Sequence, residues 1–222
     1  KDPKEFTIVG RSLPRTDTPS KVDGSAVYGI DMKIPGMLHA AVLLAPRFGA
    51  ELGSFDETRA KQVPGVRRVV RFSRGVAVLA DDTWSAFRGR DALEAQWKET
   101  RKAAESSGAL RARCEALLGE PGKSLRADGD VAAALALAAR KLEASYERPS
   151  QTHAAREPIN ATADVRGDRC EIWAPTQTPA WAWGELKRVL GLPGEAIRIN
   201  ITLLGGGFGR RINPDFIIDA AE

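Results

Sequence analysis

The sequence predicts an α+β fold, and three observations carry that expectation. Short β-branched and aliphatic runs bounded by Gly, Pro or Asp recur in both halves, Val66–Phe72 and Gly75–Ala80 among them. Helical runs stand between them with their own start and stop signals, as where Pro179–Leu190 is followed by Gly191. Of the 222 residues 43% are hydrophobic and 28% charged, which excludes a disordered, collagen-like or coiled-coil chain.

The first half alternates strand and helix signals. Residues 26–31 follow the turn Asp23-Gly24 as a short strand, and Pro35-Gly36 leads into an apolar strand over 37–44, closed by Pro46. Asp56 is placed to cap a short helix through Lys61, which Pro64-Gly65 ends. Val66–Phe72 and Gly75–Ala80 read as a strand pair. Asp82 then opens a helix carrying Trp84, Phe87, Ala92, Leu93 and Ala95 on one side, which completes a compact α+β unit.

Residues 99–127 change character. Lys102, Glu105, Ser106, Ser107 and Gly108 read as linker, a helix is expected over 110–118, and Gly119 with Pro121-Gly122 stops it. Asp130 caps an alanine-rich helix over 131–140. The second half opens with an alternating strand over 141–147, and 160–165 with 171–174 form a hairpin turned at Arg166-Gly167-Asp168. After the helix Pro179–Leu190, residues 196–204 make a β-branched strand that runs straight into Gly205-Gly206-Gly207-Phe208-Gly209-Arg210-Arg211.

Charge and cysteine narrow the function classes. The 33 Lys and Arg exceed the 29 Asp and Glu by 4, and the densest basic cluster is Arg67, Arg68, Arg71 and Arg74. Those arginines sit on a strand and its turn among Val66, Val69, Val70 and Phe72, the pattern of a solvated strand edge rather than of a nucleic-acid groove. Cys114 and Cys170 stand far apart with no Cys-x-x-Cys, and His39 and His153 are the only histidines, so no metal-ligating set is expected. The longest apolar stretch, 37–46, falls far short of the ~20 residues of a membrane span. The chain opens Lys1-Asp2-Pro3 without Met and closes in the first turns of a helix over 216–222, so it is expected to be an internal piece of a longer polypeptide.

Two nucleotide motifs fail on spacing. Gly122-Lys123-Ser124 has the tail of a phosphate-binding P-loop, but Leu117 stands where its first glycine belongs. The glycines at 205, 207 and 209 miss the dinucleotide fingerprint because Arg210 occupies the third glycine position. Three consecutive glycines after a strand are still more than a turn requires. They permit close approach of a planar or anionic ligand to bare backbone N–H groups, with Phe208 as an apolar wall and Arg210 and Arg211 as donors to a phosphate or carboxylate. A glycine bulge before a helix accounts for the same letters without a ligand.

The glycine run resembles the pterin-contacting loop of the molybdenum hydroxylases, the xanthine oxidase and aldehyde oxidase family. Upstream, Trp173-Ala174-Pro175-Thr176-Gln177-Thr178 resembles that family's Thr-Gln segment, and His153 to Ala163, with Glu157-Pro158 inside it, is similar to its His…Glu-Pro…Thr-Ala segment. Arg15 to Gly24 resembles the lead-in to the family's α/β-hammerhead domain. The segments keep their order along nearly the whole chain, and Arg210-Arg211 after the loop is most similar to the large subunits of the isoquinoline 1-oxidoreductase branch.

The resemblance implies an α/β-hammerhead domain over 1–100, a helical linker over 101–140 and the first part of a molybdopterin-binding domain over 141–222. It implies hydroxylation of N-heteroaromatics, or oxidation of aldehydes, at a molybdenum centre with water as the oxygen source. The cofactor would be molybdopterin cytosine dinucleotide, and Gln177 would hydrogen-bond an oxo ligand on the metal. Gly206, Gly207, Phe208, Gly209 and Arg210 would line the cofactor, while Glu157 and His153 are expected to serve structure. The catalytic glutamate lies outside these residues, and a small [2Fe-2S] subunit carries the electrons away. The piece alone is therefore expected to be inactive and without bound cofactor. The rival is a non-enzymatic module that uses the glycine loop to bind an anion or a partner. A basic nucleic-acid-binding domain is a second rival.

Overall fold

The computed structural model describes residues 2–100 and 105–222; Lys102, expected in the linker, lies outside them. In the first half, β1 (His39–Leu44), β4 (Gly75–Ala80) and β3 (Val66–Phe72) form an antiparallel sheet in the order β1-β4-β3. β2 (Glu51–Asp56) and β5 (Glu94–Lys98) form a second antiparallel pair. α1 (Thr18–Val22) precedes these strands, the single turn α2 (Thr58–Lys61) lies between β2 and β3, and α3 (Thr83–Asp91) packs across the first sheet. Val76 and Val78 of β4, Leu52 of β2, Ala60 and Leu93 make the core.

Local chemistry sets several boundaries. Asp82 accepts a hydrogen bond from Ser85 N at 2.9 Å and so caps α3. Asp56 accepts from Thr58 N at 2.8 Å and turns the chain into α2. α3 differs from the expectation, because it ends at Asp91 and buries Ala86 and Gly89, leaving Trp84 and Phe87 exposed. The reason is distance: the helix lies so close to the sheet that a Cβ on Gly89 would stand 2.7 Å from Val78 Cγ1. Small residues therefore face the core and large ones face out.

The expected strand at 26–31 is reduced to one parallel bridge between Tyr28 and Leu203, followed by a 3₁₀ turn over Gly29–Asp31. α4 (Ser107–Leu117) is capped by Ser106, and α5 (Val131–Leu137) by Asp130, both with every side chain exposed. α5 stops short of Arg140, and residues 141–147 form no strand. Leu142 and Tyr146 are exposed, and among the described residues no strand pairs with 141–147, so their alternation is not used in a sheet.

The second half holds β6 (Thr162–Arg166), β7 (Arg169–Ala174) and β8 (Ile197–Ile201), in that order across one sheet. β6 and β7 are an antiparallel hairpin, and β7 and β8 are parallel, joined through α6 (Pro179–Leu190). Gly191 ends α6 at φ +66°, the left-handed C-terminal stop. α7 (Asp215–Ala221) packs on α6 and the sheet, and Ile172, Leu186 and Ile217 are fully buried between them. β8 is shorter than expected because the chain leaves the sheet at Thr202 to reach Tyr28.

Three of the four arginines in the basic cluster are engaged within the chain. Arg67 pairs with Asp81 at 2.7 Å, Arg71 donates to Leu52 O at 3.2 Å, and Arg74 pairs with Asp215 at 2.8 Å.

Candidate functional site

β7 and β8 run parallel, so their carboxyl ends reach one edge of the sheet and the loops leaving them meet there, the place where open α/β sheets bind ligands. β7 contributes Pro175-Thr176-Gln177-Thr178, and β8 contributes the glycine run. Gln177 N donates to Arg211 O at 3.1 Å, and Thr176 Oγ1 donates to the same carbonyl at 3.4 Å. Thr178 Oγ1 donates to Ile212 O at 2.5 Å. The two loops are thereby stitched side by side.

The glycines answer separate demands. A Cβ on Gly205 would stand 2.4 Å from Glu157 Cβ, and one on Gly207 would stand 2.5 Å from Gln177 Oε1. Gly206 and Gly209 adopt φ +100° and +89°. Between them Phe208 holds φ +50°, with its ring 73% exposed. A bulky residue in the left-handed region is strained, and such strain gathers at ligand contacts. The N–H groups of Gly206, Gly207, Phe208 and Gly209 donate to no acceptor among the described residues. The loop thus presents four consecutive free donors beside an exposed aromatic residue, a set suited to an anionic, planar ligand.

Beneath the loop lies a buried ion pair. Glu157 Oε2 accepts from Arg211 Nη2 at 3.0 Å and from Gly205 N at 2.8 Å, while Oε1 accepts from Ile30 N at 3.1 Å and Asn160 Nδ2 at 2.9 Å. Burial lowers the Arg211 guanidinium from its usual range, and the Glu157 charge opposes that shift. Arg210 takes a different path, forming a bidentate pair with Asp215 at 2.8 and 2.9 Å. A cleft of about 300 Å³ opens beside the loop, lined by His153, Ala154, Glu157 and Arg210 among others.

Residues 119–221 match the family model of the molybdopterin cofactor-binding domain, a stretch that begins inside the expected linker. The chain is 33% identical to the beta subunit of isoquinoline 1-oxidoreductase from Brevundimonas diminuta, across 98% of this chain and 29% of that protein. It is 32% identical to a nicotinate dehydrogenase subunit of Pseudomonas putida, across 98% of this chain and 19% of that protein. The chain belongs to the molybdenum hydroxylase large-subunit family. Its fold agrees: the aldehyde oxidoreductase of Desulfovibrio gigas superposes with a TM-score of 0.69 at 18% identity, over 93% of this chain and 28% of that one. The chain thus spans under a third of the length of each of these two relatives.

In this family member the structure brings Gln177, Gly206, Gly207, Phe208 and Gly209 to one edge, and Arg210 flanks them with its guanidinium held by Asp215. His153 lines the cleft from an exposed position. Sequence reasoning missed the part of Ile30 and Asn160, and treated Arg211 as a donor to a ligand although it is fully buried against Glu157. A contact spanning 127 residues, as from Ile30 to Glu157, leaves no local signal.

Proposed function

We propose that this chain supplies one wall of a molybdopterin cytosine dinucleotide site in the large subunit of a molybdenum hydroxylase. The observation that carries the reading is the glycine loop itself: four consecutive N–H groups without an internal acceptor, around a Phe208 held at φ +50°. That donor set fits an anionic pterin and its phosphates, and the absent Cβ atoms at Gly205 and Gly207 leave Glu157 and Gln177 their places. The parent activity is hydroxylation of N-heteroaromatics or oxidation of aldehydes, with water as the oxygen source. The names of the relatives, which include an isoquinoline oxidoreductase and a nicotinate dehydrogenase, support this.

When bound, the cofactor supplies the two-electron oxidation. Gly206, Gly207, Phe208 and Gly209 would hold it through backbone donors and the Phe208 ring, and Arg210, whose guanidinium Asp215 keeps in place, would border it. Gln177, whose amide lies close to Gly207, would be the residue to hydrogen-bond the metal end of the cofactor. A general base and further cofactor contacts belong to other parts of the parent enzyme. A small [2Fe-2S] subunit is the proposed electron acceptor, as the resemblance to the isoquinoline 1-oxidoreductase branch implies, and the two cysteines of this chain are too few for a four-thiolate centre of its own. The domain division that goes with this reading is a hammerhead over 1–100, a linker over 101–140 and the cofactor domain from 141.

In the full-length enzyme, Gln177→Ala keeps its molybdenum and pterin content but loses turnover by about 100-fold, the scale for removing one oriented donor. Metal analysis and fluorescence of the released, oxidised pterin measure the content, and steady-state kinetics the loss. Unchanged turnover removes Gln177 from the metal end.

A further inference from the structure

Glu157 and Arg211 are the most deeply buried charged groups of the site, with Glu157 7% exposed and Arg211 not at all. Their bonds reach both faces of the glycine run. Glu157 Oε2 holds the Gly205 N–H, Arg211 Nε donates to Gly206 O at 2.9 Å, and Arg211 Nη2 donates to Glu157 O at 2.8 Å. Glu157 N also donates to Gly205 O at 3.0 Å. Through Oε1 the same carboxylate grips Ile30 N, so the loop is referenced to the first half of the chain as well.

Stability alone is a poor reason for this pair. Removing two charges from water costs about as much as their attraction returns, and an apolar replacement of both is often neutral. Here the balance is worse, because Arg211 Nη1 is buried without a hydrogen-bond partner among the described residues. What the pair does achieve is geometric. With Gly205 N, Gly205 O and Gly206 O all held from below, the peptide planes that carry the Gly206 and Gly207 N–H groups cannot rotate, and in a trans peptide those two N–H groups point away from the anchored carbonyls.

We propose that the Glu157–Arg211 pair is a positioning device that fixes the orientation of the glycine loop's backbone donors toward the cofactor. The inference rests on the cofactor reading above and adds a role to two residues buried beneath the loop. Groups that orient first-contact ligands typically cost 10–100-fold in affinity when lost.

The test uses the full-length enzyme and two variants. The double variant Glu157→Gln/Arg211→Met removes both charges at similar volume. Arg211→Lys keeps a charge beside Glu157 but has one nitrogen where the guanidinium fork joins Glu157 to Gly206 O. Thermal unfolding of each cofactor-free protein reports stability. Release of molybdenum and pterin is then timed at a temperature where all of them are folded. Arg211→Lys is expected to unfold within a few degrees of wild type and to release cofactor about tenfold faster. A folded double variant is expected to do the same. Wild-type release from Arg211→Lys, or from a folded double variant, overturns the positioning role while leaving the cofactor reading intact. A wild-type enzyme that carries neither molybdenum nor pterin overturns both.

Discussion

Two glycines of one loop illustrate how different neighbours assign different tasks to the same residue type. The Cβ of Gly205→Ala would meet the Cβ of Glu157, a stem fixed to the backbone, so the loop itself must shift. That substitution is expected to lower stability by about 1–3 kcal/mol, read as a reduced denaturation midpoint. Gly207→Ala would meet only the far end of Gln177, an exposed side chain free to swing away. Its stability should stay within about 0.5 kcal/mol of wild type, while turnover of the full-length enzyme falls because Gln177 is displaced. Equal loss of stability in both variants contradicts this division. The presence of a ligand loop was legible from three glycines in a row, since a turn needs fewer. The separate reasons were not, because each partner lies about 30 to 50 residues upstream. Arg210 and Arg211 teach the same lesson. Adjacent and identical in type, one is half-buried with Asp215 and the other fully enclosed with Glu157.

Elements that announce themselves by capping chemistry were legible, and elements defined by partners were not. Asp82, Asp130 and Pro179 start helices where their side chains or ring dictate, and Gly191 stops one. β2 gave no signal, because Glu51-Leu52-Gly53-Ser54 interrupts its alternation at a bulge and the strand exists only against β5. α3 was legible as a helix but not in its orientation, since Trp84 and Phe87 outweigh Ala86 and Gly89 in any hydrophobic pattern. Its packing yields a paired prediction. Alanine for glycine inside a helix normally stabilises by about 1 kcal/mol. On α6, where Gly184 has nothing within 4 Å of a built Cβ, Gly184→Ala should show that gain. On α3 the added methyl would stand 2.7 Å from Val78 and 2.8 Å from Val66, both stiff at χ1. Overpacking of about 1–3 kcal/mol then exceeds the helical gain, and Gly89→Ala destabilises by about 1 kcal/mol. Urea denaturation of the two variants reads opposite signs if the packing argument holds.

At the scale of the molecule, the described residues of the two halves meet at places of contrasting chemistry. One is the neutral backbone bridge of Tyr28 with Leu203 beside the Ile30–Glu157 bond. Another is charged: Arg74, at the β3–β4 turn, pairs with Asp215 at 2.8 Å and with Asp219 at 3.6 Å, and Ser73 N donates to Glu222. Burial pushes the Asp219 carboxyl from 3.8 up to about 6, with Arg74 and Arg210 opposing and Asp215 and Glu222 adding to the shift. Burial also raises Asp215, but its bonds to Arg210 and Arg74 more than offset that and leave it below the usual carboxylate range. The signs follow from proton linkage. Asp219 binds its proton more tightly in the folded state, so its stabilising contribution is complete below about pH 4 and is lost as pH rises through about 6. Asp215 acts in the opposite sense, contributing above its unfolded value and losing that contribution only in stronger acid. Asp219→Asn removes the first effect and keeps the second, because Arg74 retains its shorter bond to Asp215. The variant should therefore match wild type near pH 4, gain on it between about pH 4 and 6, and stay more stable by a constant margin above pH 7. Melting temperatures of the two proteins across that range measure the difference. A difference independent of pH means that Asp219 does not titrate at this junction.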